Sequence, residues 1–332
     1  MTVETFRNPI ADGYFADPFV LRIGDTWFAY GTGRYGDAPA VESGDRVFEA
    51  RMSRDLVHWE PLGCVLDPPD LPPPDDPAEH REFWAPEVAL IDGRLHLYYS
   101  TGIEDRGHQL RVAVASRPGG PFRDLGVILT PDERFAIDPH PFLDDDGTRY
   151  LYYARDLLEG DRPGTSIAVD RLLAPDRLAG TPSQALPPSA DWQLYRRARP
   201  MYGSVYDWHT LEGPFVVRRL DRYWMLFSGG AWTDASYGVS WAVADTPLGP
   251  FTEAPTDGAA LLRTVPGAVG PGHCSVVEGP DGRDWVAYHA WDDGGTARRM
   301  CLDPIEWTPD GPRMTGPTVG PQAVPVPRRA AR

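Results

Sequence analysis

Three acidic residues stand just ahead of a proline and an apolar run: Asp17 in Asp17-Pro18-Phe19-Val20, Asp138 in Asp138-Pro139-His140-Pro141-Phe142-Leu143, and Glu212 in Glu212-Gly213-Pro214-Phe215. Any one of them reads most simply as turn chemistry, because Asp-Pro and Gly-Pro steps initiate turns by themselves. The chain also uses the step with no acid in front, at Gly120-Pro121-Phe122 and Gly249-Pro250-Phe251. Threefold recurrence of the acid therefore asks for a further cause. Carboxylates gathered in a narrow site raise one another's pKa, while a polar or cationic neighbour keeps a chosen one ionised. Such a set can hold a proton donor and a proton acceptor at the same pH, which is the requirement for general acid–base chemistry on a bound ligand.

The elements that would position these acids recur with them. Aromatic strands stand at 27–33, 95–102, 150–155, 223–230 and 285–291, and four of the five follow a hairpin signal: Gly24-Asp25, Asp92-Gly93, Asp145-Asp146-Gly147 or Asp281-Gly282. A second repeat supports the first. Val112-Ala113-Val114-Ala115 with its downstream Pro-Gly-Gly-Pro-Phe matches Trp241-Ala242-Val243-Ala244 with its Pro-Leu-Gly-Pro-Phe, and 51–59 fills the same slot in the first unit. Each unit reads as strand, hairpin, aromatic strand, loop, third strand, with a fourth strand less legible. Four-stranded units repeated around an axis are propeller blades, so the pattern predicts an all-β, five-bladed β-propeller in one domain. Its core is expected over 8–307, with 308–332 as a Pro-, Gly- and Arg-rich tail wrapping the surface or partly unstructured. The Pro-rich 67–77 is expected as a loop between the first two blades, and 174–200 as an excursion between the third and fourth.

In a propeller the first strand of each blade starts at the central channel. Asp17, the Trp84-Ala85-Pro86-Glu87 stretch, Asp138, Glu212 and Gly272-His273 would then face one another there. The charge balance narrows the ligand: 32 basic residues, all of them Arg, against 48 acidic ones give a net charge of −16. That field disfavours nucleic acid and anionic membrane, and favours a neutral small molecule. No run approaches a membrane span, and the first residues lack the basic and apolar regions of a signal peptide, so a cytoplasmic location is expected. Cys64, Cys274 and Cys301 lack metal-site spacing and read as small buried hydrophobes in a reducing compartment. Nothing in the sequence sets an oligomeric state.

Taken jointly, Ala16-Asp17-Pro18-Phe19, Phe83-Trp84-Ala85-Pro86-Glu87, Ile137-Asp138-Pro139-His140-Pro141-Phe142, Leu211-Glu212-Gly213-Pro214-Phe215 and Gly270-Pro271-Gly272-His273 resemble the blade-start motifs of glycoside hydrolase family 43. That family consists of five-bladed propeller enzymes that remove arabinofuranose or xylose from plant polysaccharide fragments, and the resemblance covers roughly residues 8–307. It implies Asp17 as general base, Glu212 as general acid, and Asp138 as the acid that tunes pKa and orients the sugar. An inverting glycosidase needs such a pair, one carboxylate to deprotonate water and a protonated one to serve the leaving oxygen. The repulsion of Asp138 and the rings of Trp208 and Phe215 are expected to keep Glu212 protonated.

The resemblance further implies Trp84 as the platform for the sugar ring, and His273 as the channel histidine that holds a hydrated calcium. A substrate-contacting Arg is implied at Arg298 or Arg299. Strand alternation allows only one of them inward, and Arg299 is the choice made on the sequence. Trp208 and His209 are expected at the pocket rim. Glu87 stands where an Asp is common, which leaves the chemistry unchanged. The leading expectation is an inverting, exo-acting α-L-arabinofuranosidase on short imported oligosaccharides, with β-D-xylosidase or endo-1,5-α-L-arabinanase as alternatives. A non-catalytic carbohydrate-binding propeller or a protein-interaction scaffold stands further off, since neither needs the acid set.

Overall fold

The computed structural model describes residues 4–33 and 46–327. Strands dominate it, and among the described residues the only helical turn is the short 3-10 segment Asp191–Gln193. Among the described residues no helix is long and apolar enough to cross a membrane. Five antiparallel four-stranded units follow one another along the chain. Blade 1 comprises Ala16–Ile23, Thr26–Thr32, Val47–Ser53 and Trp59–Asp67, and blade 2 comprises Arg81–Ile91, Arg94–Ile103, Arg106–Ala115 and Phe122–Ile128. Blade 3 runs Ala136–Leu143, Arg149–Leu157, Gly164–Ala174 and Ser183–Leu186. Blade 4 runs Ser204–Arg219, Arg222–Gly229, Gly238–Ala244 and Thr252–Glu253; blade 5 runs Val269–Glu278, Asp284–Trp291, Arg298–Thr308 and Gly311–Met314.

The aromatic repeat is the second strand of every blade. A second strand has ladder partners on both edges and a neighbouring blade against each face, so its side chains are apolar without alternation. Trp27, Tyr98, Tyr99, Tyr152, Tyr153, Trp224, Phe227, Trp285 and Tyr288 are all buried there. The rings also tie blades together. Tyr30, Tyr98 and Tyr152 occupy equivalent positions, and each hydroxyl donates to a proline carbonyl in the next blade: Pro118 at 3.0 Å, Pro175 at 2.9 Å, and Pro247.

Two expectations about the edges need correction. The excursion at 174–200 is more than a loop: it carries the outer strand of blade 3, Ser183–Leu186, and then Leu194–Met201, which forms a hairpin with the start of Ser204–Arg219. The propeller also extends past 307, because Gly311–Met314 is the outer strand of blade 5 and Gln322–Ala323 pairs with Thr5–Phe6 near the N-terminus. The segment between that N-terminal strand and blade 1 lies along blade 5, with Ile10 N–H bonded to Met300 O and Phe15 N–H to Arg298 O, both at 2.8 Å. The last five residues lie outside the described ones. The 67–77 segment is the inter-blade loop that its composition predicts.

One local device repeats at the axis. The first strand of each blade carries an extra residue against its second strand, marked by register shifts at Ala16/Phe19, Trp84/Glu87, Ile137/His140, Glu212/Phe215 and Gly272/Ser275. Within each bulge one residue has left-handed backbone: Asp17 (φ 50), Ala85 (φ 51), Asp138 (φ 57), Gly213 (φ 56) and His273 (φ 46). Only Gly takes this conformation freely, so the other four are held there by their surroundings. A bulge removes its residue's N–H from the ladder, and in four blades that N–H reaches a side chain of the preceding blade. Ala85 donates to Thr32 Oγ1 (2.8 Å), His273 to Ser228 Oγ (2.8 Å), Asp17 to His289 Nδ1 (3.1 Å) and Gly213 to Asp138 Oδ2 (2.8 Å).

Thr32, Ser228 and His289 stand at one equivalent place, opposite the residue before the bulge, and Ser100 holds that place in blade 2 with its buried hydroxyl unpaired. Ser228→Ala should leave a buried N–H unsatisfied and lower unfolding free energy by about 1–3 kcal/mol. Ser100→Ala deletes a hydroxyl with no partner and should be neutral or slightly stabilising; urea unfolding of the two variants side by side is the measurement.

Candidate active site

The bulges turn side chains of all five blades into one cavity of about 520 Å³, lined by Asp17, Trp84, Asp138, Glu212 and His273 together with Tyr14, Tyr195, Trp232, Trp291 and Arg298. That volume is within the ~300–1,000 Å³ typical of small-molecule sites. A second cavity, of about 450 Å³, opens at the far end of the channel between the continuations of the same strands, and Phe215 lines that one. Asp17, Asp138 and Glu212 all line the first.

Asp17 is almost fully buried and sits in a cationic and imidazole cradle. Its Oδ1 lies 3.2 Å from Arg298 Nη1, 3.2 Å from His289 Nδ1 and 3.5 Å from His273 Nδ1. Burial pushes its pKa up, but the charge of Arg298, then the two imidazoles, outweigh burial and hold it well below the usual carboxylate range. Burial acts on the imidazoles as well: the pKa of His273 is lowered, and that of His289 falls to about 4. Arg298 is fixed from several sides, by a 2.8 Å bond from Nε to the Tyr14 hydroxyl and by the rings of Trp232, Tyr14 and Trp291 at 4.6, 5.4 and 5.8 Å.

Glu212 and Asp138 have the opposite electrostatics. Burial pushes Glu212 up to about 7; the hydrogen bond from Tyr237 pulls it down, Asp17 raises it, and Arg298 lowers it. Asp138 is raised well above its usual value by burial, then by the charges of Glu212 and Asp17, against the bond it accepts from the Gly213 N–H. His273 Nδ1 lies 3.7 Å from Asp138 Oδ2, so the imidazole stands between Asp138 and Asp17. Of the three blade-start carboxylates, one is therefore held ionised and two are pushed toward their neutral form, so the set can supply acceptor and donor in a single turnover.

Trp84 lines the cavity with its indole stacked on His108, ring centroids 3.7 Å apart and planes 20° from parallel. Phe135 packs edge-on to the same imidazole, and burial lowers His108 to about 4, so an uncharged ring backs the tryptophan. Across the cavity Trp232 and Trp291 stack at 6.2 Å, and Trp291 Nε1 donates to Trp232 O at 2.8 Å.

Three sequence expectations are corrected. Arg298, opposite Trp291 in the ladder, faces the cavity, whereas Arg299 turns to the other face of the strand and meets Asp292 at 3.3 Å. Trp208 and His209 do not line the cavity. The Leu194–Met201 hairpin strand covers Trp208, whose ring meets Tyr202, Tyr206 and Arg199, and His209 pairs in parallel with Gly164 at the junction of blades 3 and 4. Phe215 lines the far cavity, and the charge that adds to burial in raising Glu212 is that of Asp17.

Residues that sequence reasoning missed are Tyr14, Tyr195, Trp232, Tyr237 and His289. Only His289 carried a signal, as a polar residue inside the fifth aromatic strand. Among the described residues no group of three or more His, Cys, Asp or Glu side chains converges to hold a metal. Calcium takes six to eight oxygen ligands, and His273 offers it one imidazole whose Nδ1 is turned to two carboxylates, so the side chains alone do not make a calcium cage.

The geometry agrees with the comparisons. A model of "Glycosyl hydrolases family 43" matches residues 6–312. The chain belongs to glycoside hydrolase family 43. Among relatives, a β-D-galactofuranosidase from Aspergillus niger is 29% identical over 89% of this chain and 80% of its own length. An extracellular exo-α-(1→5)-L-arabinofuranosidase from Streptomyces avermitilis is 26% identical over 97% of this chain and 65% of its own length. The crystal structure of a thermostable family-43 glycoside hydrolase superposes with a TM-score of 0.80 at 30% identity, over 98% of this chain and 100% of the other. As a family 43 glycoside hydrolase, the protein acts on carbohydrate.

Arg298→Ala should raise the pKa of Asp17 by removing the main charge that holds it down, and the acid limb of kcat/KM should move to higher pH. Arg299→Ala should leave the profile in place. Initial rates across pH 4–9 (about, spanning the carboxylate and imidazole ranges) separate the two arginines.

Proposed function

We propose that the protein is an inverting, exo-acting furanosidase that releases terminal α-L-arabinofuranose from short oligosaccharides. The observation that carries the reading is the electrostatic division in the cavity, with Asp17 ionised and Glu212 raised to about 7. Asp17 is the general base: it takes a proton from water as the water oxygen attacks the anomeric carbon. Glu212 is the general acid, giving its proton to the glycosidic oxygen as the bond to the anomeric carbon breaks and the electron pair leaves with that oxygen. Attack and departure on opposite faces invert the configuration.

Asp138 supports the acid in two ways. Its charge and that of Glu212 oppose each other, so ionising either is costly, and its Oδ2 holds the Gly213 N–H one residue along from the acid. Trp84 is the platform for the sugar face, and Arg298 supplies donors beside the base.

Exo action is supported by the cavity wall. The hairpin begun by Leu194–Met201 places Tyr195 at the cavity, and Arg199 stacks on Tyr195 at 5.0 Å while its guanidinium meets Asp105 of blade 2 at 3.1 Å. That bridge between the hairpin and blade 2 bounds the cavity on one side, as a pocket requires and an open groove does not. β-D-galactofuranose is a second reading, favoured by the Aspergillus niger relative. The two furanosides share ring stereochemistry and differ in the chain on C4, so one platform and one acid–base pair serve both. β-Xyloside cleavage asks the pocket to hold a six-membered ring.

Nitrophenyl α-L-arabinofuranoside, β-D-galactofuranoside and β-D-xyloside, assayed beside linear arabinan, rank these readings. Fastest turnover of the arabinofuranoside with only monomer released from arabinan is expected, and fragments of mixed length from arabinan would refute exo action. Glu212→Gln should cost about 10²–10⁴-fold on an oligosaccharide. Because the acid must be protonated, activity should fall as pH rises through about 7. A calcium ion held beside His273 through water is a separate proposal: chelation should lower the melting temperature, and an unchanged melting curve and rate would remove the ion from the account.

A further inference from the structure

Among the described residues Glu212 accepts one side-chain hydrogen bond, and its donor is outside the carboxylate set. Tyr237, immediately before the Gly238–Ala244 strand of blade 4, directs its hydroxyl to Glu212 Oε1 at 2.6 Å. The phenol is buried at 1% exposure and cannot swing away. One face of its ring lies parallel to His289, with centroids 5.9 Å apart and planes 8° from parallel, and the Nδ1 of that histidine is 3.2 Å from Asp17 Oδ1. Gly272 makes room for the ring: a Cβ there would come within 1.8 Å of Tyr237 Cε1. Blade 5 thus leaves out a side chain where a ring from blade 4 reaches Glu212 alongside His289.

We propose that Tyr237 is a positioning residue for the proton donor, fixing Oε1 of Glu212 so that the transferable proton is carried on Oε2. The inference rests on the reading of Glu212 as general acid. A phenol that donates to Oε1 leaves Oε2 as the oxygen that bears hydrogen in the neutral carboxyl. When that proton passes to the glycosidic oxygen, the new carboxylate keeps the Tyr237 bond, now charge-assisted and stronger. Burial, then the charge of Glu212, hold the phenol well above its ordinary pKa, so the hydroxyl keeps its hydrogen to donate.

The other groups that bear on Glu212 are Asp17, which raises it, Arg298, which lowers it, and Asp138, whose own ionisation it opposes; burial lowers the pKa of both His273 and His289, and Tyr195 stands at the cavity wall. Tyr237 is the one donor among them that touches Glu212. Removing it takes away stabilisation of the ionised form, which raises the pKa of the acid.

The test is Tyr237→Phe, which keeps the ring on His289. Two substrates are compared: an arabino-oligosaccharide, whose sugar leaving group needs protonation, and the nitrophenyl arabinofuranoside, whose leaving group needs little. Expected are a fall in kcat on the oligosaccharide of about 10–100-fold, part of the full acid contribution, KM within about twofold, a clearly smaller fall on the nitrophenyl substrate, and a basic limb of kcat/KM displaced to higher pH. 3-Fluorotyrosine at 237, a stronger donor, should displace the limb to lower pH, which a packing role would not do. Equal losses on both substrates with an unmoved basic limb in both variants would overturn the proposal. Full oligosaccharide turnover by Glu212→Gln would instead overturn the reading of Glu212, so the two failures are distinct.

Discussion

The site depends on one backbone constraint: each blade's first strand must take a left-handed residue where it reaches the axis. A regular strand would send alternate side chains to the two faces of its own blade, into contact with the neighbouring blades. The bulge rotates one residue out of that alternation and aims it along the channel. Asp17, Asp138 and His273 are themselves the left-handed residues, whereas Glu212 and Trp84 stand one place earlier, before Gly213 and Ala85. The five blades therefore contribute two kinds of position, and the proton donor and the stacking platform share one of them while the base, its partner acid and the axial histidine share the other. The energy to hold four non-glycine residues at positive φ comes from the packed blades and from the N–H bonds that pass between blades.

Burial has opposite effects on acids a few ångströms apart. All three carboxylates are buried, and desolvation pushes each toward its neutral form. Arg298, with His273 and His289 beside it, reverses that for Asp17, and its guanidinium is wedged among Tyr14, Trp232 and Trp291 within 3.2 Å of the Asp17 oxygen. Once Asp17 is ionised, its charge adds to the burial that raises the pKa of Glu212 and Asp138. Arg298 is thus the leading charge that keeps Asp17 apart from the other two acids, and its own position is set by blade 5 and by the segment before blade 1, joined at the Phe15 N–H to Arg298 O bond.

The parts of this arrangement legible in the sequence were those that repeat. Five aromatic strands gave five blades because second strands are buried on both faces, and the acid-before-proline steps marked three of the five bulges. What the sequence hid depends on pairing across distance. Arg298 and Arg299 are adjacent, and only the register that puts Arg298 opposite Trp291 decides between them. Trp208 looked like a rim residue by nearness to Glu212 in the chain, but a hairpin supplied by the preceding segment covers it. Tyr237 lies 25 residues from Glu212 with no motif around it, and Gly272, read as part of a blade-start motif, is small to admit that ring. The outer strands Ser183–Leu186 and Gly311–Met314 are short and pair along one edge only, so they lack the apolar runs that marked the rest.

The third blade explains why Asp138 matters beyond its charge. At the place opposite the residue before the bulge, the blades carry Thr32, Ser100, Ala154, Ser228 and His289. Thr32, Ser228 and His289 each accept the bulge N–H of the following blade; Ala154 has no atom to do so. The N–H it would have served belongs to Gly213, and that N–H turns to Asp138 Oδ2 instead. A hydroxyl at 154 would compete for this bond and release Asp138 from the backbone beside Glu212. The acid that tunes the proton donor is therefore also a structural substitute, standing in for a missing acceptor in a ring of inter-blade bonds. Its carboxyl is fixed by the same requirement that holds the blades in register, which is how a rigid scaffold places a charge next to the donor without a separate element to carry it.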